Sequence, residues 1–324
     1  MDKNSALIDI TRIEEAADKL VANINKVIVG KSEVLELVLV ALLCEGHILI
    51  EDVPGIGKTM LAKSTAKSLD CSFKRIQFTP DLLPSDVTGI YYFNQKTSEF
   101  EFRPGPIFAS IVLADEINRA TPRTQSCLLE SMQEHQVTVD VETMPLPRPF
   151  MVIATQNPIE LEGTFPLPEA QLDRFLLRIR LGYPDTDEEN TILSRFQQEN
   201  PLDTLEPVIK SSELVQLQKI CRQVYIEESV RNYIIAIAQS TRSHKGIKLG
   251  ASPRASLNLY LASQALAAIR GRNYVIPDDV KHLAIPVLAH RTIVKAETGI
   301  RGQSAESIIK EIVDTVPVPV EERT

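Results

Sequence analysis

The sequence predicts an α/β core built on a parallel five-stranded sheet and followed by a smaller all-helical domain. Two observations carry this expectation. Up to about Pro184, short β-rich apolar runs alternate with helical stretches, the rhythm of strand–helix–strand units. Beyond Tyr183-Pro184-Asp185 the apolar spacing is helical throughout, and no convincing strand pattern appears.

The strand candidates are residues 47–50, 73–78, 111–114, 150–155 and 175–181. Several are near-continuous apolar runs, as expected of parallel strands covered by helices on both faces. Between them, residues 59–69 and 121–135 have helical character, and the second stretch opens on Thr121-Pro122, an N-cap followed by proline in the first turn. In the later part, residues 186–198, 212–224, 227–242, 252–270 and 277–289 show helical spacing. Ser252-Pro253 and Pro277-Asp278-Asp279 mark helix starts there. These elements divide the chain into a core of residues 1–184 and a separate helical domain of residues 185–324, with a tail from Val316 onward expected to fray. No internal repeat or low-complexity tract is visible.

Composition bounds the function. With 44% hydrophobic and 24% charged residues, the 324-residue chain has the make-up of a globular protein with a substantial core. A net charge of -8 and a pI near 5.3 argue against sequence-blind binding to duplex DNA, although a local basic pore is compatible with them. Cys44, Cys71, Cys127 and Cys221 are scattered singly among apolar neighbours, which predicts buried, reduced thiols rather than disulfides or metal ligands. The five histidines show no ligand spacing either. The first twenty residues lack the apolar core of a signal peptide. The longest apolar stretch, residues 34–44, is interrupted by Glu36 and too short to span a bilayer, so a cytoplasmic protein is expected.

The chemistry concentrates in four segments. In the first, a strand runs through EDVPGIGKT (residues 51–59) into a helix. Backbone N–H groups of such a loop, with the positive end of the helix behind them, cradle phosphate oxygens. Lys58 is suited to reach the β- and γ-phosphates and the Thr59 hydroxyl to hold Mg²⁺. Gly55 and Gly57 let the backbone approach closely. The strict G-x-x-x-x-G-K-S/T pattern requires glycine at position 52, where this chain has Asp52, so an ordinary Gly-rich βα turn is the competing explanation.

The second segment, residues 111–116, is an apolar strand ending in Asp115-Glu116. Asp115 is placed to bind Mg²⁺, directly or through water, and Glu116 to polarise an attacking water. A solvated acidic pair at a helix start is the bland alternative. The third, residues 150–158, is a strand ending in polar amides, with Asn157 and nearby Thr155 placed to contact the γ-phosphate or the attacking water; Asn-Pro is also a common turn. In the fourth, Arg174 stands beside a strand start and Arg254 at a helix N-terminus. Taken alone, each is a surface ion pair; beside a hydrolytic site, each is a counter-charge for a developing phosphoryl anion.

In this order, and followed by a helical domain, the four segments resemble the AAA+ superfamily of ATP-hydrolysing P-loop motors. The strings EDVPGIGKT, ADEINRA (residues 114–120), ATQNP (residues 154–158) and LPEAQLDRF (residues 167–175) resemble signatures of its MoxR family. MoxR-type P-loops commonly carry an acidic residue where Asp52 stands. The resemblance implies ATP and Mg²⁺ as ligands, held by Pro54, Gly55, Ile56, Gly57, Lys58, Thr59 and Met60, with Val29 and Gly30 near adenine. It implies Asn157 as sensor 1, Arg174 as an arginine finger reaching into a neighbouring subunit, and Arg254 as sensor 2 from the helical lid; Arg119 and Arg123 also face the neighbour by this analogy. Residues 84–106 resemble a helix-2 insert and residues 136–149 a pre-sensor-1 hairpin, the alternative being decorative surface hairpins.

The function implied is chaperone-like remodelling or assembly of partner proteins, including cofactor or metal insertion, by a homo-oligomeric ring, a hexamer by analogy. A substrate protein and a partner bearing a von Willebrand factor A domain follow from the same resemblance. The alternatives are a DNA-processing motor, a metal-chelatase motor subunit, and a nucleotide-dependent switch with little turnover.

Overall fold

The computed structural model describes residues 9–140, 142–158, 163–197, 200–300 and 302–319. Two helices, α1 (Thr11–Ile24) and α2 (Ser32–Leu43), precede the first strand, β1 (Ile48–Glu51). Helix α3 (Lys58–Ser68) and strand β2 (Phe73–Gln77) follow, then a one-turn helix α4 (Pro84–Thr88) and the hairpin β3 (Gly89–Asn94) and β4 (Glu99–Pro104). Strand β5 (Ile111–Asp115), helix α5 (Pro122–Glu134), the hairpin β6 (Gln136–Val139) and β7 (Glu142–Pro145), and strand β8 (Met151–Gln156) come next. A short α6 (Glu169–Leu172) leads to β9 (Leu177–Ile179).

β1, β2, β5, β8 and β9 form one five-stranded sheet in the order β2-β5-β8-β1-β9, parallel throughout. The period-2 alternation of β strands sends successive apolar side chains to opposite faces. Ile48, Ile50, Ile111, Leu113 and Ile153 accordingly join a core with α1, α2 and α3, while Leu49, Val112, Ala114, Val152 and Ala154 pack with α5 on the other side. Both faces are covered at β1, β5 and β8, which is why these three strands are apolar up to their carboxyl ends. Because every strand is parallel, the motif residues at their carboxyl ends gather along one edge. Register places Gln77 beside Asp115 and Glu51 beside Gln156.

The helical part comprises α7 (Thr186–Phe196), α8 (Ser211–Cys221), α9 (Glu228–Ser243), α10 (Pro253–Ile269), α11 (Pro277–Leu288), α12 (Ala296–Ile300) and α13 (Ala305–Thr315). Helix α7 opens on a capping box: Asp185 accepts the Glu188 N–H at 2.8 Å and Glu188 accepts the Asp185 N–H at 3.0 Å. Ser252 caps α10 by accepting the Ala255 N–H at 3.2 Å. At α11 the cap comes from inside the helix, where Asp279 accepts the Ile276 N–H at 3.0 Å.

Several expectations are corrected. The helical part contains a small antiparallel pair, β10 (Ile247–Leu249) with β11 (Ile293–Val294), too short for alternation to register. Its separateness is one of sequence rather than packing, because a single apolar cluster joins Leu35 and Leu42 of α2 to Leu259, Leu266, Leu283 and Ile308 of the helical part. Thr121 occupies the N-cap position of α5 without capping it; its hydroxyl lies 3.4 Å from that of Thr124 instead. Only Cys221 is fully buried, while Cys44, Cys71 and Cys127 are half-buried free thiols. Burial still pushes Cys71 and Cys127 up to about 11 and Cys221 up to about 12, so all three stay protonated near neutral pH. Of the tail expected to fray from Val316 onward, residues 320–324 lie outside the described residues. Among the described residues no helix is long and apolar enough to cross a membrane.

Candidate active site

The site is built where β1 hands over to α3. Gly57 takes the N-cap position of α3 at φ +94° and Gly55 lies at φ +86°, both in the left-handed region that glycine enters without strain. A Cβ built on either meets nothing within 4 Å, so the concave side of the loop opens onto free space. The first N–H groups of α3 have no intrahelical partner and face an incoming anion with the positive end of the helix. Such a cradle fits a nucleotide phosphate chain.

Asp52, the departure from the strict pattern, has a defined job. Its carboxylate accepts the N–H of Val53 at 2.9 Å and of Gly182 at 2.7 Å, and its carbonyl accepts Lys58 Nζ at 2.8 Å. Its φ is not positive, so nothing in the backbone demands glycine there. Burial lowers the Lys58 pKa, while Asp115, Asp52 and Glu116 pull it back up.

The acidic pair is held by β8 and β2. Asp115 is 9% exposed; its Oδ1 accepts the Thr155 hydroxyl at 2.6 Å, and its Oδ2 accepts Arg75 Nε at 3.0 Å and Nη2 at 2.6 Å. Thr155 also accepts the Glu116 N–H at 2.8 Å. Glu116 sits at φ +57°, a left-handed conformation unusual for a residue with a side chain and characteristic of functional turns. Its Oε2 accepts Gln77 Nε2 at 2.8 Å and Arg119 Nη1 at 3.1 Å.

A cavity of about 340 Å³ brings Pro54, Gly55, Gly57, Lys58, Thr59, Met60, Asp115, Glu116 and Asn157 together with Arg75. A second, of about 330 Å³, lies across the loop and shares Pro54, Gly55, Gly57 and Met60 with it. Its wall is mainly apolar, with Val29, Ile56, Leu181, Ile192 and Phe196, as suits a flat base. Gly30 stands beside this wall rather than in it. It has φ +72°, and a Cβ there would fall 1.6 Å from the carboxylate of Glu188, which pairs with Lys31 at 3.2 Å.

Arg174 and Arg254 are not brought into either cavity. Arg174 Nη1 donates to the Leu129 carbonyl at 2.5 Å, and Arg254 Nη1 to Gln133 Oε1 at 3.5 Å, so both lie against α5. Thr155, 1% exposed, braces the acidic pair from behind and does not face the cavity. Three further residues escaped sequence reasoning. Arg75 and Gln77 reach the site because β2 lies next to β5, a neighbour relation no local pattern announces. Asp52 breaks the strict pattern, and its partner Gly182 lies 130 positions away.

Mg²⁺ takes few protein ligands and completes its shell with phosphate oxygens and water. Asp115 and the Thr59 hydroxyl, at one end of a phosphate-sized cavity, fit that requirement. Among the described residues no group of three acidic, His or Cys side chains offers an all-protein metal cage.

A parallel sheet of this order, with a P-loop after β1 and an acidic pair after β5, defines a P-loop nucleotide-binding ATPase fold. The ATPase family associated with various cellular activities (AAA) matches residues 47–177, and the AAA lid domain matches residues 239–312. The chain is 54% identical to the uncharacterized protein YeaC of Bacillus subtilis, over 94% of this chain and 95% of that one. It is 40% identical to Chaperone MoxR1 of Mycobacterium tuberculosis, over 93% and 82% of the two chains. A crystal structure from Cytophaga hutchinsonii, described as a candidate ATPase, superposes with a TM-score of 0.90 at 39% identity, covering 96% of this chain and 97% of that one. The chain belongs to the MoxR family of AAA+ ATPases.

Proposed function

We propose that the protein binds ATP with Mg²⁺, hydrolyses it, and uses the cycle to remodel or assemble other proteins. The observation that carries this reading is the single cavity joining Lys58, Thr59, Asp115, Glu116 and Asn157 at one sheet edge. Lys58 and the loop N–H groups bind the phosphates, Val29, Ile56 and Met60 bound the base, and Thr59 and Asp115 hold the metal. Mg²⁺, when bound, neutralises charge on the phosphate oxygens. Glu116, carried on its left-handed turn, orients the attacking water and draws off its proton. Asn157 fixes that water or the terminal phosphate from the end of β8.

The assembly follows from what the cavity lacks. Arg174 and Arg254 lie on the α5 side of the same chain; we assign Arg174 to the site of a neighbouring subunit in a homo-oligomeric ring, hexameric by family analogy, and Arg254 to the helical lid as its sensor 2 arginine. A chaperone role is supported by the name of the Mycobacterium relative, and a von Willebrand factor A domain partner by family resemblance alone.

Complementation tests the arrangement. Arg174→Ala and Glu116→Gln chains are each expected to release little phosphate. Mixed together, they form interfaces that join an intact Glu116 to an intact Arg174, and part of the turnover returns. Absence of rescue in a protein that sediments as a monomer would sink the ring.

A further inference from the structure

Arg75 is the one guanidinium lining the phosphate cavity among the described residues. Two of its nitrogens converge on Asp115 Oδ2, at 3.0 and 2.6 Å, while Thr155 takes Oδ1. Both oxygens of the carboxylate are therefore engaged by protein donors. We propose that Arg75 is a further residue of the nucleotide site, a guanidinium that stands where Asp115 takes its metal, so that Mg²⁺ and nucleotide enter by exchanging one cation for another. The proposal rests on the assignment of Asp115 to the metal.

The exchange follows from charge and space. A magnesium ion sits about 2.1 Å from a carboxylate oxygen. A guanidinium hydrogen-bonded to that same oxygen places two cations within a few ångströms of each other, a repulsion that weakens the contact of the more exposed partner. Asp115 is well covered, with a side chain 13% exposed, whereas the Arg75 side chain is 47% exposed and has room to swing. Displaced, the guanidinium stays in a cavity that then holds phosphate oxygens, which it binds through its planar fork.

The test is a Mg²⁺ titration of nucleotide binding, read with a fluorescent ATP analogue. Wild type, Arg75→Ala and Arg75→Gln are compared, with a parallel measurement in EDTA. Removal of a partly exposed ion pair from Asp115 is expected to lower the Mg²⁺ midpoint about five-fold in both variants. Affinity in EDTA, where Arg75 stays paired with Asp115, changes little, whereas affinity at saturating Mg²⁺ falls because the displaced guanidinium no longer meets the phosphates. In an Asp115→Asn background, Arg75→Gln produces no further shift in the midpoint, because the guanidinium acts through that carboxylate; a further shift there overturns the exchange. A midpoint unchanged or raised in both variants overturns the exchange. Far-UV circular dichroism checks folding, and Arg75→Gln, which keeps the stem and a hydrogen-bonding amide, serves if the alanine variant unfolds. Lys58→Ala distinguishes the two levels of failure: if it binds the analogue as wild type does, the assignment of the P-loop itself falls and the exchange falls with it.

Discussion

Asp52 is tied to Gly182: the carboxylate accepts the Gly182 N–H at 2.7 Å, joining the start of the P-loop to the segment just beyond β9. That segment continues into Tyr183 and Pro184, which wall the apolar cavity. An acidic residue at this position therefore fixes the two halves of the nucleotide site relative to each other, a task glycine cannot perform. Asp52→Gly, which restores the strict motif, is expected to lower stability by about 1–2 kcal/mol, the worth of a charge-assisted hydrogen bond. Nucleotide affinity falls with it, because the carbonyl that steadies Lys58 gains freedom. Asp52→Asn, which keeps one acceptor oxygen, loses less. Thermal melts with and without nucleotide check both.

Thr155 joins the acidic pair through one hydroxyl, donating to Asp115 and accepting from the Glu116 N–H. Thr155→Val keeps the volume and removes the bridge. Phosphate release is expected to fall about ten- to a hundred-fold while nucleotide affinity changes little, since Lys58 and the loop are untouched. Thr155→Ser retains most of the rate. A large loss of affinity instead, with the rate per bound nucleotide intact, would remove Thr155 from any positioning role.

What local pattern reveals and what it hides separate along physical lines here. β1, β5 and β8 were legible because burial on both faces makes them apolar runs, and each ends in a motif. Lys58-Thr59 and Asp115-Glu116 are legible because each is an adjacent pair at the end of such a strand or just after its loop. Arg75 and Gln77 sit on the sheet's edge strand, where polar and apolar residues mix. Their meeting with Asp115 depends on β2 pairing β5, which is a property of the folded sheet. α1 and α13 went unrecognised although both are strongly amphipathic, and the β10–β11 pair spans too few residues for any periodicity.

The contact between α2 and the helical part is expected to respond to pH. Glu36 on α2 accepts Arg270 at 2.9 and 3.0 Å, and His282 Nε2 lies 3.3 Å from its Oε2. Burial alone would raise the Glu36 pKa, but the adjoining His282 ring and the hydrogen bonds from Arg270 outweigh it and bring it down to about 2. The Glu36 carboxylate beside the ring raises the His282 pKa against burial; Arg270 opposes and Glu33 assists. A histidine whose folded pKa exceeds its unfolded value adds stability below the unfolded pKa, and that stability is lost as pH rises through the folded pKa. Glu36 acts in the opposite sense, losing its contribution only as pH falls from about 4.5 toward about 2. His282→Gln is thus expected to melt lower than wild type at about pH 6 and to match it at about pH 9. An equal gap at both pH values would show that the protonated ring contributes nothing.

The β3–β4 hairpin presents an aromatic face in two tiers. Tyr91 and Phe102 form the inner pair, with ring centroids 5.2 Å apart; Phe102 packs on Phe108, and the Tyr91 hydroxyl donates to Glu142 of β7 at 2.5 Å. Phe93 and Phe100 form the outer pair, 5.4 Å apart, and are 51% and 70% exposed. Exposed aromatics in register at the end of a hairpin contribute little to folding and much to contact with another chain. Phe93→Ser with Phe100→Ser is therefore expected to change the melting midpoint by no more than a degree or two, since the inner tier still anchors the hairpin. If the hairpin engages client proteins, the same double variant on a Glu116→Gln background, slow to discharge bound ATP, captures fewer of them than Glu116→Gln alone. Equal capture would return the hairpin to the status of a surface decoration.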